Sequence, residues 1–111
     1  GRRDRMVKRS GFRIELDEIE ACLYRHPALR AAAVVAVADT RDDLRIGAVV
    51  VPRPSLKPSI IELKRYCATE LPRYAVPDVF AFPSALPETS TNKTDYRAIE
   101  GLVRSIVSAP S

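Results

Sequence analysis

Short apolar and polar runs open the chain and then give way to strand and helix spacings. Val7–Arg9 and Phe12–Glu15 flank Ser10-Gly11. Glycine supplies the positive φ of a two-residue turn, so the pattern predicts a β-hairpin. Asp17 followed by Glu20 fits an N-cap and its N3 acid at a helix start. Ile19, Cys22, Leu23 and His26 then form one stripe at i, i+3, i+4, i+7, predicting a helix from about Glu18 to Arg25. Pro27 ends it, because the residue before a proline is pushed out of the α region.

Val34, Val35 and Val37 favour a buried strand over Leu29–Asp39. After the polar loop Thr40–Asp43, Leu44–Val51 reads as a second strand, antiparallel to the first. Pro58 suits the first turn of a helix whose face is Ile60, Leu63, Cys67 and Leu71 and which stops before Pro72. Arg73–Pro77 is a connector and Val79–Phe82 a short strand. Asp95 is the expected cap of a last helix with Ile99, Leu102, Val103 and Ile106 on one side. Counted from the second hairpin strand, the order is strand–helix–strand–strand–helix–strand, then helix. This predicts an α+β fold: a small, mainly antiparallel sheet plus an N-terminal hairpin, with about three helices packed on it.

The 111 residues suffice for one domain with one modest core. A composition 46% hydrophobic and 29% charged is ordinary for a soluble globular domain. The longest apolar run, Ala31–Ala38, is too short to cross a bilayer, and no apolar segment of the secretory type follows the basic N-terminus. Cys22 and Cys67 each fall on a predicted helix. With one histidine in the chain they offer no metal-ligand cluster, and both read as buried thiols of a reducing, cytoplasmic compartment. The charge is uneven. Residues 1–13 carry six bases (Arg2, Arg3, Arg5, Lys8, Arg9, Arg13) against Asp4, a balance of +5, while twelve bases and thirteen acids elsewhere give −1. Such an arm is either a solvated strand or a surface for phosphate or another acidic partner.

Two motifs add chemistry to this outline. The first comprises Gly1-Arg2-Arg3-Asp4, Lys8, Gly11 and Arg13-Ile14-Glu15; the second is Leu86-Pro87-Glu88-Thr89-Ser90-Thr91-Asn92-Lys93-Thr94-Asp95. Together they resemble the small C-terminal domain of adenylate-forming enzymes, the superfamily of nonribosomal peptide synthetase adenylation domains, acyl-CoA synthetases and luciferases. The resemblance covers Gly1 to about Val107, and Arg13–Glu20 is more similar to amino-acid adenylation enzymes. It implies that the whole chain, 1–111, is the lid of a larger enzyme whose N-terminal domain binds ATP, Mg2+ and the acid. Residues 1–111 alone are then expected to be inactive. It further implies Lys93 as the catalytic cation, with Thr89, Asn92 and Asp95 supporting its loop, and Asp4 as the hinge. Lys8, Arg9 and Gly11 would belong to a hairpin serving thioester formation with the phosphopantetheine of an acyl or peptidyl carrier protein, or with coenzyme A. Most such enzymes have glycine before the lysine. Asn92 stands there instead, and asparagine is the next residue best able to adopt positive φ.

A lone loop lysine is ordinarily just solvated, and Asp4 without the resemblance is a surface acid beside Arg2 or Arg5. Two other classes fit parts of the pattern. The strand and helix order, with a pI of 9.4, also suits a ferredoxin-like RNA-binding module. That class needs stacking aromatics on its central strands, and Leu44–Val51 has none. A carrier-docking module without catalysis would need only the surface. Neither nucleic acid nor membrane is an expected partner.

Overall fold

The computed structural model describes residues 5–108. Strands β1 (Met6–Arg9) and β2 (Phe12–Glu15) pair antiparallel, with Arg9 opposite Phe12. Ser10 at φ 52° and Gly11 at φ 82° both occupy the left-handed region, the backbone of a hairpin turn whose twist matches its strands. A Cβ on Gly11 would meet nothing within 4 Å, so glycine is favoured there by conformation rather than by space.

Helix α1 (Leu16–Tyr24) begins earlier than the cap pattern predicts. Strand β2 runs straight into it, the Leu16 N–H donates to the Arg5 carbonyl at 2.9 Å, and Glu15 takes the N-cap position without a side-chain bond. Asp17 lies in the first turn and Glu20 beyond it. The expected capping box does not form, because the earlier start puts Asp17 inside the helix, and both acids bond Arg5 instead.

Strands β3 (Leu29–Ala38) and β4 (Leu44–Pro52) pair antiparallel as expected, and β5 (Val79–Ala81) adds to the other side of β4 in parallel. The order is β3-β4-β5. A parallel neighbour needs a crossover, here supplied by α2 (Ile60–Glu70) and a 3-10 turn at Arg73–Ala75. Pro58 falls just before the N-cap rather than in the first turn. Ser59 is the cap: its hydroxyl accepts from the Glu62 N–H, and the Glu62 carboxylate accepts the Ser59 N–H in return.

Helices cover both faces, so β3 and β4 read as nearly continuous apolar runs. Val34, Ile46, Ala48 and Val50 pack with residues of α1 and α2, including Ile19, Leu23 and Leu63. Val35, Val37 and Val49 pack on the opposite face with Ile99 and Val103 of α3 (Tyr96–Val107). The Asp95 carboxylate caps α3 as expected, accepting the Ala98 N–H at 3.1 Å. The buried side of α3 is narrower than its sequence pattern, since Leu102 and Ile106 stay 38% and 39% exposed. Cys22 and Cys67, both buried, meet where α1 packs on α2. Burial first, and then Cys22, pushes the Cys67 thiol up to about 12.

Candidate functional site

The segment between β5 and α3 is a loop closed at its base. Glu88 and Thr94 form a β-bridge, the Thr89 N–H donates to the Lys93 carbonyl at 2.7 Å, and the Asp95 N–H donates to the Pro87 carbonyl at 2.9 Å. Inside the loop the Asn92 N–H donates to the Thr89 carbonyl at 3.0 Å, and the Thr89 hydroxyl accepts the Lys93 N–H at 3.3 Å. Asn92 sits at φ 63°, in the left-handed region. Thr89, Asn92 and Asp95 therefore shape the backbone, while the Lys93 side chain stays exposed without an ion-pair partner among the described residues. A fixed loop carrying a free ammonium suits contact with an anion that arrives from outside.

The hairpin is also fixed. Arg9 pairs with Asp78 at 2.6 Å, and the same carboxylate oxygen accepts the Ile46 N–H at 2.8 Å. Phe12 stacks on Tyr74 with ring centroids 4.2 Å apart. Lys8 and Gly11 are exposed. Ion pairs take Arg5, Arg9 and Arg13 of the basic arm, so Lys8 is its unpaired cation among the described residues. Of the arm's described bases Lys8 is thus the one left for an incoming anion, while Arg2 and Arg3 lie outside the described residues. Among the described residues no hydrogen bond joins Lys8–Gly11 to the loop around Lys93. Asp4, the expected hinge, lies outside the described residues. A groove of about 590 Å3, lined in part by Arg53, Leu56, Lys57 and Phe82, holds none of the predicted site residues.

Sequence reasoning misses Glu20 as a meeting point. Its carboxylate accepts from Arg5 at 3.0 Å, from the Val34 N–H at 2.9 Å, and from the Tyr96 hydroxyl, which reaches both oxygens at 2.8 Å. Arg5 also donates to the Val34 carbonyl and to Asp17, and lies over the Tyr96 ring, 4.3 Å from its centroid. Burial works against the Arg5 charge, but the bond and field of Glu20 more than offset it, so the guanidinium pKa lies above its ordinary value. Burial, then the bond to Glu20, raises the Tyr96 phenol in the same sense. The sequence signal for this cluster is no more than a surplus: acids in the first turns of α1 and an arginine ahead of β1, each explicable locally.

Residues 18–93 match the family model of the AMP-binding enzyme C-terminal domain. The chain belongs to that family. It is 46% identical over 99 residues to a dimodular nonribosomal peptide synthase of Bacillus subtilis, covering 89% of this chain and 4% of that protein. It is 41% identical over 100 residues to an L-proline--[L-prolyl-carrier protein] ligase of Streptomyces coelicolor, covering 89% of this chain and 19% of the ligase. Among solved structures it is similar to an acyl-CoA synthetase of Brucella canis, with a TM-score of 0.79 and 30% identity, over 92% of this chain and 19% of that one. The chain thus spans a small part of these proteins' own length. As an AMP-binding enzyme C-terminal domain it places the lysine loop at the end of the matched region, which closes on Lys93.

Proposed function

We propose that this domain is the mobile lid of an ATP-dependent ligase that activates an amino acid as its aminoacyl-adenylate and passes it to a carrier-protein thiol. The observation that carries this reading is Lys93: an unpaired ammonium on a loop whose backbone is fixed at both ends, within a chain similar to carrier-protein ligases. In the first half-reaction a carboxylate oxygen attacks the α-phosphorus of ATP and pyrophosphate leaves. Two anions must approach, and charge builds on the phosphoryl oxygens. Lys93 bridges them as a compact point charge, supplying orientation and electrostatic stabilisation. ATP and Mg2+ are held mainly by the N-terminal domain of the same enzyme.

In the second half-reaction the phosphopantetheine thiol attacks the acyl carbon and AMP leaves. Rotation about Asp4 withdraws the lysine loop and brings in the hairpin. Gly11, without a side chain at the tip, leaves room for the thiol arm, and Lys8 and Arg9 flank it. Arg9 acts there by holding the hairpin on Asp78. Transfer to coenzyme A is the second reading, favoured by the structural likeness to an acyl-CoA synthetase.

The test is acid-dependent ATP–pyrophosphate exchange in the intact enzyme, wild type beside Lys93→Ala, across amino acids and simple carboxylic acids. Exchange with an amino acid that disappears in the variant is the expected result. Near-normal exchange in Lys93→Ala overturns the role of the lysine, and exchange only with fatty or aryl acids moves the reading to coenzyme A. For the hinge, Asp4→Pro is expected to impair one half-reaction far more than the other, and equal loss of both counts against it.

A further inference from the structure

The Arg5–Glu20–Tyr96 cluster joins two places that the proposed reaction must coordinate. Arg5 directly follows Asp4, and Tyr96 is three residues beyond Lys93. Between them stands one carboxylate whose side chain is only 15% exposed. An enclosed carboxylate keeps its charge at low cost only when hydrogen-bond donors surround it, and Glu20 has a guanidinium, a backbone N–H and a phenol. Each donor comes from a different part of the chain: the approach to β1, the middle of β3, and the first residue of α3.

We propose that Glu20 and Tyr96 are positioning residues that clamp the lysine loop to the strand leaving the hinge, so that Lys93 travels with that strand as one rigid piece. The inference rests on the reading of Lys93 and Asp4 given above. Its physical basis is the short path from clamp to loop. Tyr96 adjoins Asp95, whose N–H closes the loop on Pro87 and whose carboxylate caps α3. Further along α3 only Ile99 and Val103 are buried, and apolar contacts permit small rocking of a helix on a sheet. The Tyr96 hydroxyl on Glu20 opposes that rocking at the end of the helix that bears the loop.

The variant Tyr96→Phe removes one hydroxyl while leaving the ring beneath Arg5, and Glu20 keeps its Arg5 and Val34 donors, so the fold is retained. In the intact enzyme the expected result is about a tenfold fall in kcat for ATP–pyrophosphate exchange, since slight misplacement of a catalytic group is costly. KM for ATP and acid stays unchanged, and so does transfer to the thiol from preformed adenylate, which does not use Lys93. Amide hydrogen exchange of residues 88–95 accelerates while residues 6–15 keep their protection. Glu20→Gln, which keeps an acceptor for the phenol but weakens the hold on Arg5, impairs the same half-reaction. Equal loss of both half-reactions, or unchanged protection of residues 88–95 in Tyr96→Phe, overturns the clamp. The Lys93→Ala control separates the two readings. If it abolishes exchange while Tyr96→Phe exchanges normally, the clamp fails alone. If it exchanges normally, the lysine assignment fails, and faster loop exchange in Tyr96→Phe still supports the clamp.

Discussion

Val103 of α3 lies directly over Gly47 of β4: a Cβ built on Gly47 would stand 2.4 Å from the nearer Val103 methyl. Helix and sheet touch there at backbone level, and this contact sets the distance of α3 from the sheet. Gly47→Ala is therefore expected to push α3 outward and destabilise the domain by about 1–3 kcal/mol, the usual cost of overpacking. Denaturant melts of Gly47→Ala, Val103→Ala and the double variant test this. The double variant should lose less than the two single losses added together, because the smaller residue at 103 makes room. Strict additivity would show that the contact is not the cause.

Arg9 and Asp78 offer a second test. Asp78→Ala leaves a guanidinium and the Ile46 N–H without their shared acceptor, an expected loss of about 1–3 kcal/mol. A double-mutant cycle with Arg9→Ala assigns only about 1 kcal/mol or less to the ion pair itself, since both side chains are about a quarter exposed. A coupling near zero with an undiminished loss in Asp78→Ala would place the whole effect on Ile46.

Acid stability follows from Asp39. Its bond to Arg45 first, then the N–H groups of Asp43 and Arg41, holds its carboxyl below the ordinary value of 3.8. A depressed folded-state pKa means that the stabilisation is complete above the unfolded value and is lost as pH falls through the folded one. Asp39→Asn should lower stability at neutral pH and flatten the decline below about pH 4 in melts taken across the acid range. A decline as steep as wild type would show that other carboxylates govern it.

The cysteines give the fourth prediction. Both thiols are fully enclosed and burial raises both, Cys67 to about 12, so neither supplies thiolate near neutrality. An aromatic disulfide reagent should label them only as fast as the domain opens, with both appearing together in denaturant. Rapid labelling of one cysteine in the native protein would contradict the packing of α1 on α2.

Features set by near neighbours along the chain are legible in the sequence itself. Ser10-Gly11 announces its turn, Asp95 its cap, and Asn92 its left-handed backbone, because each depends on residues a few positions away. Glu20 misleads for the converse reason. Three residues after Asp17 it looks like a capping acid, yet Arg5, Val34 and Tyr96 claim it, and no local pattern reveals partners so far along the chain. Asp78, between the connector Arg73–Pro77 and the short strand after it, is hidden for the same cause, and Arg9 consequently looks free. Leu102 and Ile106 have the spacing of a buried stripe, but the sheet beneath α3 is only three strands wide and does not reach them.

The hold of Arg5 and Glu20 on Val34 has a consequence for solubility. β3 is an outer strand of its sheet, and Leu29–Ala38 carries a single charge among ten residues, the composition of a segment prone to pair with copies of itself. An outer strand offers its unpaired N–H and C=O groups to any extended chain that approaches. At Val34, midway along, side chains already occupy both groups. An incoming strand would have to displace an ion pair to continue past that point. Weakening the pair should therefore expose the protein to edge-to-edge aggregation before it unfolds.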